Sequence, residues 1–424
     1  MPFLTDLDDR AQIRGSRDPL GLVPIWSRFG REVVGNLTTV TNGVRGFTTL
    51  ILGLYFAQEV QEMEGGKGQP LLNLFLKFEQ LAGYARVVIN TDRSVRGLRR
   101  IQTRLNDSKR IRISAEQTDQ ILSNQKVYGL WGLFSMPARA SELLVQRDQR
   151  LSVEARTFVE KKYLPLFGNG RSEKRGLVDL LHRPSFDLQP LGRDQELIKA
   201  LAKAHGRVTS EEKVFYRDHL AWGGNSDRTN GRQRRLAEIL AEHGSDDFVF
   251  RDFREVKRVA IKKKDEELVE VLDRIEAVEH LISPARILFG YLLTQNGQTT
   301  DSVVRKVKSE WKRPPRVDLD RLSTLQSEIA AATGSTKAAS RWVEIAGSLA
   351  KGEYAALIGY LVEANTEVMR SRNGSAAWVS IESGRLRVRQ PDEAENLLSV
   401  SDVEDQWRST YFINSLWYVS QEVA

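Results

Sequence analysis

The sequence predicts a mainly α-helical protein of several domains with a β-hairpin near its end. Three observations support this prediction. Apolar residues recur at helical spacing along most of the 424 residues. Helix-start signals, such as Pro70 and the capping box Thr209-Ser210-Glu211-Glu212, precede several of these segments. Only one segment, late in the chain, shows clear strand alternation, and a chain of this length can bury more than one full-sized core.

Composition narrows the class of protein and of chemistry. The chain is 41% hydrophobic and 28% charged, which is ordinary for a globular protein, and it contains no cysteine. Disulfides, cysteine-ligated zinc, iron–sulfur clusters and thiol catalysis are therefore excluded. The acidic first residues do not have the order of a signal peptide, and the most apolar segment, Val44–Ala57, contains Arg45 and is too short to span a bilayer. We expect a soluble, cytoplasmic protein with no membrane partner.

In the first part of the chain, helical periodicity from Val23 to Glu64 predicts one or two helices, broken around Thr41-Asn42-Gly43. Pro70 suits the first turn of a further helix that ends near Asn90. The run Ser114-Ala115-Glu116-Gln117 has the pattern of a capping box, so the sequence predicts that a new helix begins at Ser114.

In the second part, the segment from about Asp252 to His280 is predicted to form one long helix with basic residues first and acidic residues later. Pro314-Pro315 marks a linker. Apolar residues then alternate on either side of the turn Glu382–Arg385, which predicts a β-hairpin. A last helix, from roughly Asp402 to Gln421, carries several aromatic residues, Trp407 among them.

The positive charge of the protein is concentrated in one stretch. The chain has 63 Lys+Arg against 56 Asp+Glu, a formal charge of +7. Between Arg86 and Arg112, nine basic residues face only Asp92 and Asp107, so this stretch alone carries +7 and the remainder sums to about zero. Cations that neutralise phosphates release counterions, which gives salt-sensitive and sequence-independent binding. The candidate nucleic-acid-binding residues here are Arg93, Arg96, Arg99, Arg100, Arg104, Lys109 and Arg110. The alternative is a solvated face, or arginines that pair with acids from elsewhere.

The next segment, from Ser114 to Tyr163, has the order helix, short helix, polar turn and helix. Its closing run Leu151-Ser152-Val153-Glu154-Ala155-Arg156 resembles the pattern Leu-Ser/Thr-x-x-Gly/Ala-Arg at the end of winged-helix DNA-binding domains. This resemblance covers about 50 residues, and it implies that Ser152 caps the final helix. It also implies DNA contacts from the recognition helix and the wing, through Arg139, Ser141, Arg147 and Arg150. The alternative is a module of this kind that packs only against protein.

We therefore predict a mainly α, multi-domain helical protein with an embedded winged-helix-like module and a C-terminal β-hairpin. The predicted domains are an N-terminal helical domain at 1–105, the module at 106–167, a middle helical domain at 168–313, and a C-terminal helical domain with the hairpin at 316–424.

The search for catalytic chemistry yields two weak patterns. Asp246 and Asp247, followed by Glu255-Val256-Lys257, mimic a metal-dependent nuclease signature, but their helical context does not suit the paired strands that this chemistry needs. Arg274 and His280 match the loose spacing of ribonucleases that resemble the HEPN family, in which His works as a general acid or base. The five histidines are scattered, so we predict no metal, no cofactor and no catalytic residues.

The first functional hypothesis is a non-catalytic subunit that binds double-stranded DNA. It would act as an accessory or adaptor, together with other protein subunits, in a multi-protein DNA transaction such as a bacterial phage-defence or restriction-type system. Two alternatives stay open: a scaffold that binds only protein, and a helical ribonuclease centred on Arg274 and His280.

Overall fold

The computed structural model describes residues 18–65, 68–167, 172–244, 248–372, 376–391, 396–405 and 408–424. In its first part, the helices and strands are α1 (Leu22–Gly30), α2 (Arg45–Met63), α3 (Leu71–Val88), α4 (Leu98–Asp107), β1 (Ile111–Ser114), α5 (Gln125–Tyr128), α6 (Leu130–Ala140), α7 (Val153–Lys162), α8 (Ser172–His182), β2 (Ser185–Leu188), α9 (Gln195–Ala204), α10 (Ser210–Tyr216) and α11 (Arg232–Ala241). A 3-10 turn follows α7 at Leu164–Phe167, and a π-helical turn follows α10 at Arg217–Ala221.

In the second part they are α12 (Phe250–Lys262), α13 (Glu266–Leu292), α14 (Thr300–Glu310), α15 (Leu319–Thr324), α16 (Gln326–Thr333), α17 (Thr336–Lys351), α18 (Tyr354–Ser371), β3 (Val379–Glu382), β4 (Arg385–Val388), α19 (Val400–Asp405) and α20 (Ile413–Val423). The predicted mainly α class is confirmed. The predicted hairpin is also confirmed, because β3 and β4 pair antiparallel with Val379 opposite Val388.

Three predicted helix boundaries are wrong. Ser114 ends β1 and does not start a helix, because its hydroxyl donates to Asp119 Oδ2 at 2.6 Å and accepts the Glu116 N–H, which stabilises a turn. The predicted long helix is two helices, α12 and α13, since the backbone reverses at Lys264, whose φ is +57°. The predicted last helix is likewise divided into α19 and α20. Trp407, Asp246 and Asp247, which the sequence analysis singled out, lie outside the described residues.

The chain divides into two compact units that are discontinuous in sequence. Unit 1 comprises Met1–Val33 and His243–Ile413, and unit 2 comprises Val34–Glu242 and Asn414–Ala424, in so far as the structure describes these residues. The four predicted domains stay a prediction, and the two units run across their boundaries. Both the basic stretch and the predicted winged-helix-like module belong to unit 2.

The core of unit 2 is built on α2 and α3, which are apolar on almost every side and are therefore buried. The rings of Phe56 and Phe78 stack with centroids 5.8 Å apart. Gly53 allows the rings of Phe75 and Phe78 on α3 to approach the backbone of α2, because a Cβ at that position would lie 2.8 Å from both rings. In a different part of unit 2, β1 pairs antiparallel with β2, and Ile111 lies opposite Leu188.

The core of unit 1 surrounds α13, which is buried along most of its length. Glu279 of this helix is completely buried and accepts the N–H of Arg408 at 2.7 Å and the hydroxyl of Tyr411 at 2.9 Å. Trp26 packs against the ring of Tyr411 with centroids 6.0 Å apart. A buried carboxylate is tolerated here because backbone and hydroxyl donors satisfy it.

Candidate nucleic-acid interface

The basic stretch is built around α4, a helix with a single buried residue. That residue, Ile101, packs on α3 next to Gly83, while most of the polar face of α4 is exposed. Gly97 positions the helix: its φ is +83°, and a Cβ there would lie 2.4 Å from the carbonyl oxygen of Ile121. Any other residue at this position would be strained, so the chain enters α4 at an angle that only glycine permits.

Two arginines of the stretch have acidic partners nearby in the sequence. Arg86 is buried and donates from Nε and Nη2 to Asp92 Oδ2, at 2.9 and 2.7 Å. Arg112 lies 3.2 Å from Asp119 Oδ2 and is more than half exposed. Asp92 belongs to the stretch itself, whereas Asp119 lies outside it, so the pair Arg112–Asp119 realises the alternative of an arginine that pairs with an acid from elsewhere.

Arg100 and Arg104 also use their donors within the chain. Arg100 donates to the carbonyl of Gln120 at 3.0 Å, and Arg104 donates to the carbonyls of Thr118 at 2.6 Å and Gln120 at 3.2 Å, as well as to that of Asp119. These bonds tie α4 to the turn that follows β1. The two guanidinium groups therefore have a structural role, which the sequence interpretation did not anticipate.

Arg96 is half-buried and lines a polar cavity of about 230 Å³ inside unit 2. Desolvation lowers the pKa of Arg96, while the negative charge of Glu79 on α3 raises it by less. Glu79 is completely buried and accepts the Leu130 N–H at 2.7 Å and the Gln125 side-chain amide at 2.8 Å. Arg96 is thus only partly accessible and lies beside a buried carboxylate, and its predicted contact with phosphate stays a prediction.

Glu79 is a titratable group that the sequence did not single out, because it looks like the polar position of an amphipathic helix. The one sequence feature that could have predicted the burial of Glu79 is that the helix around it is apolar on all sides. Desolvation raises the pKa of this carboxyl group to about 7, while the amide donors and Arg96 lower it by less.

This pKa has a consequence for stability. Between its ordinary value of 4.5 and about 7, the native state keeps a proton on Glu79 that the unfolded chain releases. The free energy of unfolding therefore falls as pH rises through this window, by roughly 1.4 kcal/mol per pH unit from this group. We expect the stability of the wild type relative to Glu79→Gln to show this fall in urea unfolding at a series of pH values.

Desolvation lowers the pKa of buried His205 to about 3, so this group makes the free energy of unfolding rise with pH. The wild type and Glu79→Gln share this contribution, and it cancels in their difference. Exposed Glu116 supplies a matched control, since Glu116→Gln should follow the wild type at each pH. Parallel stability curves for the wild type and Glu79→Gln would contradict the prediction.

Four cations of the stretch remain available to a ligand. Within the described part of the chain, their exposed side chains make no hydrogen bond, ion pair or ring contact; they are Arg93, Arg99, Lys109 and Arg110. Arg93 precedes α4, Arg99 lies in its first turn, and Lys109 and Arg110 follow its end. Ten residues of helix extend about 15 Å, so these cations are spread over roughly four phosphates of one strand of B-DNA.

The predicted module retains some of the expected local structure. Leu144 and Leu151 form an antiparallel bridge, and the Val145 N–H donates to the Arg150 carbonyl at 2.9 Å, which closes a hairpin-like turn at the predicted wing. The Ser152 hydroxyl accepts the Ala155 N–H at 3.1 Å, so the predicted cap of α7 is confirmed. The strand near the start of the module, β1, pairs with β2 and not with this turn. The winged-helix resemblance itself stays a prediction.

The predicted DNA-contacting residues of the module differ in their accessibility. Ser141 is completely buried, and its hydroxyl accepts the Asn36 side-chain amide at 2.9 Å, so its predicted role at a base edge is corrected. Arg139 is half-buried and donates to the carbonyl of Asp148 at 3.3 Å. Arg150 is exposed but pairs with the Asp148 carboxylate. Arg147 is exposed, and no contact of its side chain is found in the described residues.

The predicted recognition helix carries Arg139 and Ser141, whereas in the structure Arg139 lies in the last turn of α6 and Ser141 follows the end of this helix. Gly132 and Met136 are the exposed residues of α6, and Met136 has 59% of its surface accessible. On the preceding α5, Val127 and Tyr128 are also exposed, at 47% and 55%. Reading bases in the major groove requires outward donors and acceptors. The exposed residues of α6 supply no such groups, and its half-buried Arg139 donates from Nε to the Asp148 carbonyl.

The two residues of the proposed ribonuclease site are engaged elsewhere in unit 1. Arg274 lies 3.1 Å from Glu32 and also pairs with Glu328. His280 is largely buried, and desolvation lowers its pKa. A phosphorane needs a cation that is free to approach it, whereas the charge of Arg274 is already neutralised by two carboxylates. The geometry does not favour this alternative.

Comparison of the chain with protein-family models, with curated proteins and with solved structures finds no match. Among the described residues, no helix is both long enough and apolar enough to cross a membrane.

Proposed function

We propose that this protein binds double-stranded DNA through phosphate contacts, as a non-catalytic subunit of a larger DNA-processing assembly. The observation that carries the proposal is the set of four exposed cations around α4, Arg93, Arg99, Lys109 and Arg110, for which the described structure supplies no partner. Arg147, in the turn before α7, is a further exposed cation of the same unit.

The form of nucleic acid follows from the chemistry of this surface. Proteins that bind single strands usually stack bases on aromatic side chains beside a basic groove. Residues 93–112 contain no Phe, Trp or Tyr, so the stretch itself supplies cations without a stacking platform. Because the exposed face of α6 lacks base-reading groups, we expect duplex binding to depend on charge and to be insensitive to sequence.

Fluorescence anisotropy with two unrelated labelled duplexes tests this proposal. At low salt we expect similar dissociation constants for both, on the order of micromolar, and a steep loss of affinity at physiological salt. A single strand of the same length should bind more weakly. Absence of binding to either duplex at low salt would contradict the proposal.

A scaffold that binds only protein is the second candidate. Val127, Tyr128 and Met136 favour it, because they are large apolar side chains that are about half exposed on neighbouring helices of unit 2. The same anisotropy experiment separates the two functions, since a protein-only scaffold has no salt-dependent affinity for a duplex.

A further inference from the structure

Three side chains that can ligate a metal meet at the start of α12 in unit 1. The Nε2 atom of His243 lies 2.9 Å from Asp252 Oδ1, and its Nδ1 atom lies 4.0 Å from Glu255 Oε2. One ligand atom from each of the three residues falls within 4.8 Å of the others. His243 follows α11, while Asp252 and Glu255 are three residues apart on α12 and therefore share a face.

Among the described residues, no Lys or Arg side chain compensates the two carboxylates of the cluster. Asp252 is only 3% exposed, yet no Lys or Arg of the described residues pairs with it or with Glu255. Two cations of α12 pair with other carboxylates: Lys257 contacts Asp273 and Glu276, and Arg254 contacts Asp405. The two carboxylates of the cluster, Asp252 and Glu255, lie close enough together to share one cation. A buried carboxylate without compensating charge is costly, so the site favours a divalent cation.

The donor set indicates which class of cation suits the cluster. Metal–ligand bonds of about 2.1 Å place neighbouring ligand atoms about 3.0 to 3.4 Å apart, close to the separation between His243 and Asp252. Glu255 is nearly half exposed and can rotate to complete the set. One imidazole nitrogen with two carboxylates suits Zn²⁺ or Mn²⁺, whereas Mg²⁺ and Ca²⁺ prefer oxygen ligands alone.

We propose that His243, Asp252 and Glu255 bind one divalent transition-metal ion, Zn²⁺ or Mn²⁺. Asp252 is suited to an anchoring role, because its Oδ2 atom accepts the Val249 N–H at 2.7 Å while Oδ1 faces His243. Metal binding at this position would tie His243 to the first turn of α12. The proposal does not depend on DNA binding, which is assigned to residues of the other unit.

The test uses full-length protein without an affinity tag, stripped with a chelator and then examined by isothermal titration calorimetry with Zn²⁺, Mn²⁺ and Mg²⁺. We expect one equivalent of Zn²⁺ or Mn²⁺ to bind more tightly than Mg²⁺. Asp252→Asn keeps an acceptor for the Val249 N–H, and should weaken binding at least about ten-fold. His243→Ala should have a similar effect. Glu266→Gln, which removes an exposed acid from the first turn of α13, should bind as the wild type does.

Metal content measured on dialysed protein gives a second, independent readout. The proposal is overturned if neither Zn²⁺ nor Mn²⁺ binds to the stripped wild type, or if Asp252→Asn and His243→Ala bind them unchanged. Circular dichroism of each variant shows whether it is folded. If Asp252→Asn and His243→Ala both fail to fold, Glu255→Gln decides the matter, because Glu255 is exposed and its loss should still weaken binding.

Discussion

Replacing Arg93, Arg99, Lys109 and Arg110 together by glutamine is expected to remove most of the affinity for duplex DNA. Each lost phosphate contact lowers the affinity roughly ten-fold at about 50 mM salt, so the loss of four lowers it by about 10⁴-fold. Stability should change little, because these side chains are exposed and make no contacts in the described part of the chain. Anisotropy titration and thermal unfolding of the same preparation measure both quantities.

A matched control changes the charge by the same amount in unit 1. Lys262, Lys263, Arg305 and Lys308 are exposed cations at the end of α12 and on α14. Their joint replacement by glutamine should leave the affinity within a few-fold of the wild type. Equal losses for the two quadruple variants would show that only net charge matters, and would contradict the assignment of the interface to α4 and its flanks.

Replacing Arg45 by methionine is expected to destabilise the protein by about 3 to 5 kcal/mol, because it leaves the buried carboxylate of Glu212 without its partner. Arg45 Nη1 lies 2.6 Å from Glu212 Oε1, and Arg45 Nη2 donates to the Gly206 carbonyl at 2.5 Å. Glu212 also accepts the Tyr163 hydroxyl at 2.7 Å and the Thr209 N–H at 2.8 Å. These groups form one connected network, so the loss should exceed that of an isolated pair.

The adjacent pair Lys162 and Glu211 provides the comparison for this prediction. The Lys162 Nζ and Glu211 Oε2 atoms are 2.9 Å apart, but Glu211 is mostly exposed and solvent screens the pair, so Lys162→Met should destabilise the protein far less than Arg45→Met does. Urea unfolding followed by circular dichroism gives both values. Similar small losses for Arg45→Met and Lys162→Met would show that the buried network contributes little.

The mainly α class and the hairpin could be predicted because their signals are local. Apolar periodicity, the cap at Ser152 and the turn at Glu382–Arg385 each depend on a few neighbouring residues. The pairing of β1 with β2 could not be predicted in this way, because Ile111 and Leu188 are far apart in sequence. No local sequence pattern predicts the break between α12 and α13 at Lys264 either, because lysine rarely adopts a positive φ.

The charge of the sequence predicted where the candidate nucleic-acid interface lies, but not which of its arginines are free to bind a ligand. Sequence counts place Arg93, Arg96, Arg100 and Arg104 in one class of cation. The structure separates them, since Arg100 and Arg104 hold backbone carbonyls, Arg96 faces buried Glu79, and Arg93 is exposed. The groups that these arginines contact are main-chain carbonyls or side chains distant in sequence, and a count of charged residues does not reveal them. A variant that combines Arg99→Ala with Arg100→Ala and Arg104→Ala would therefore mix a binding effect with a structural one.

The salt dependence of duplex binding tests the proposed interface most directly. For wild type and for the glutamine variant of Arg93, Arg99, Lys109 and Arg110, the logarithm of the binding constant is measured against the logarithm of salt concentration. The slope should become shallower by roughly 0.9 for each lost contact, hence by roughly 3.6 for the four. Equal slopes for the two proteins would mean that these cations do not contact phosphate, and would contradict the proposed function.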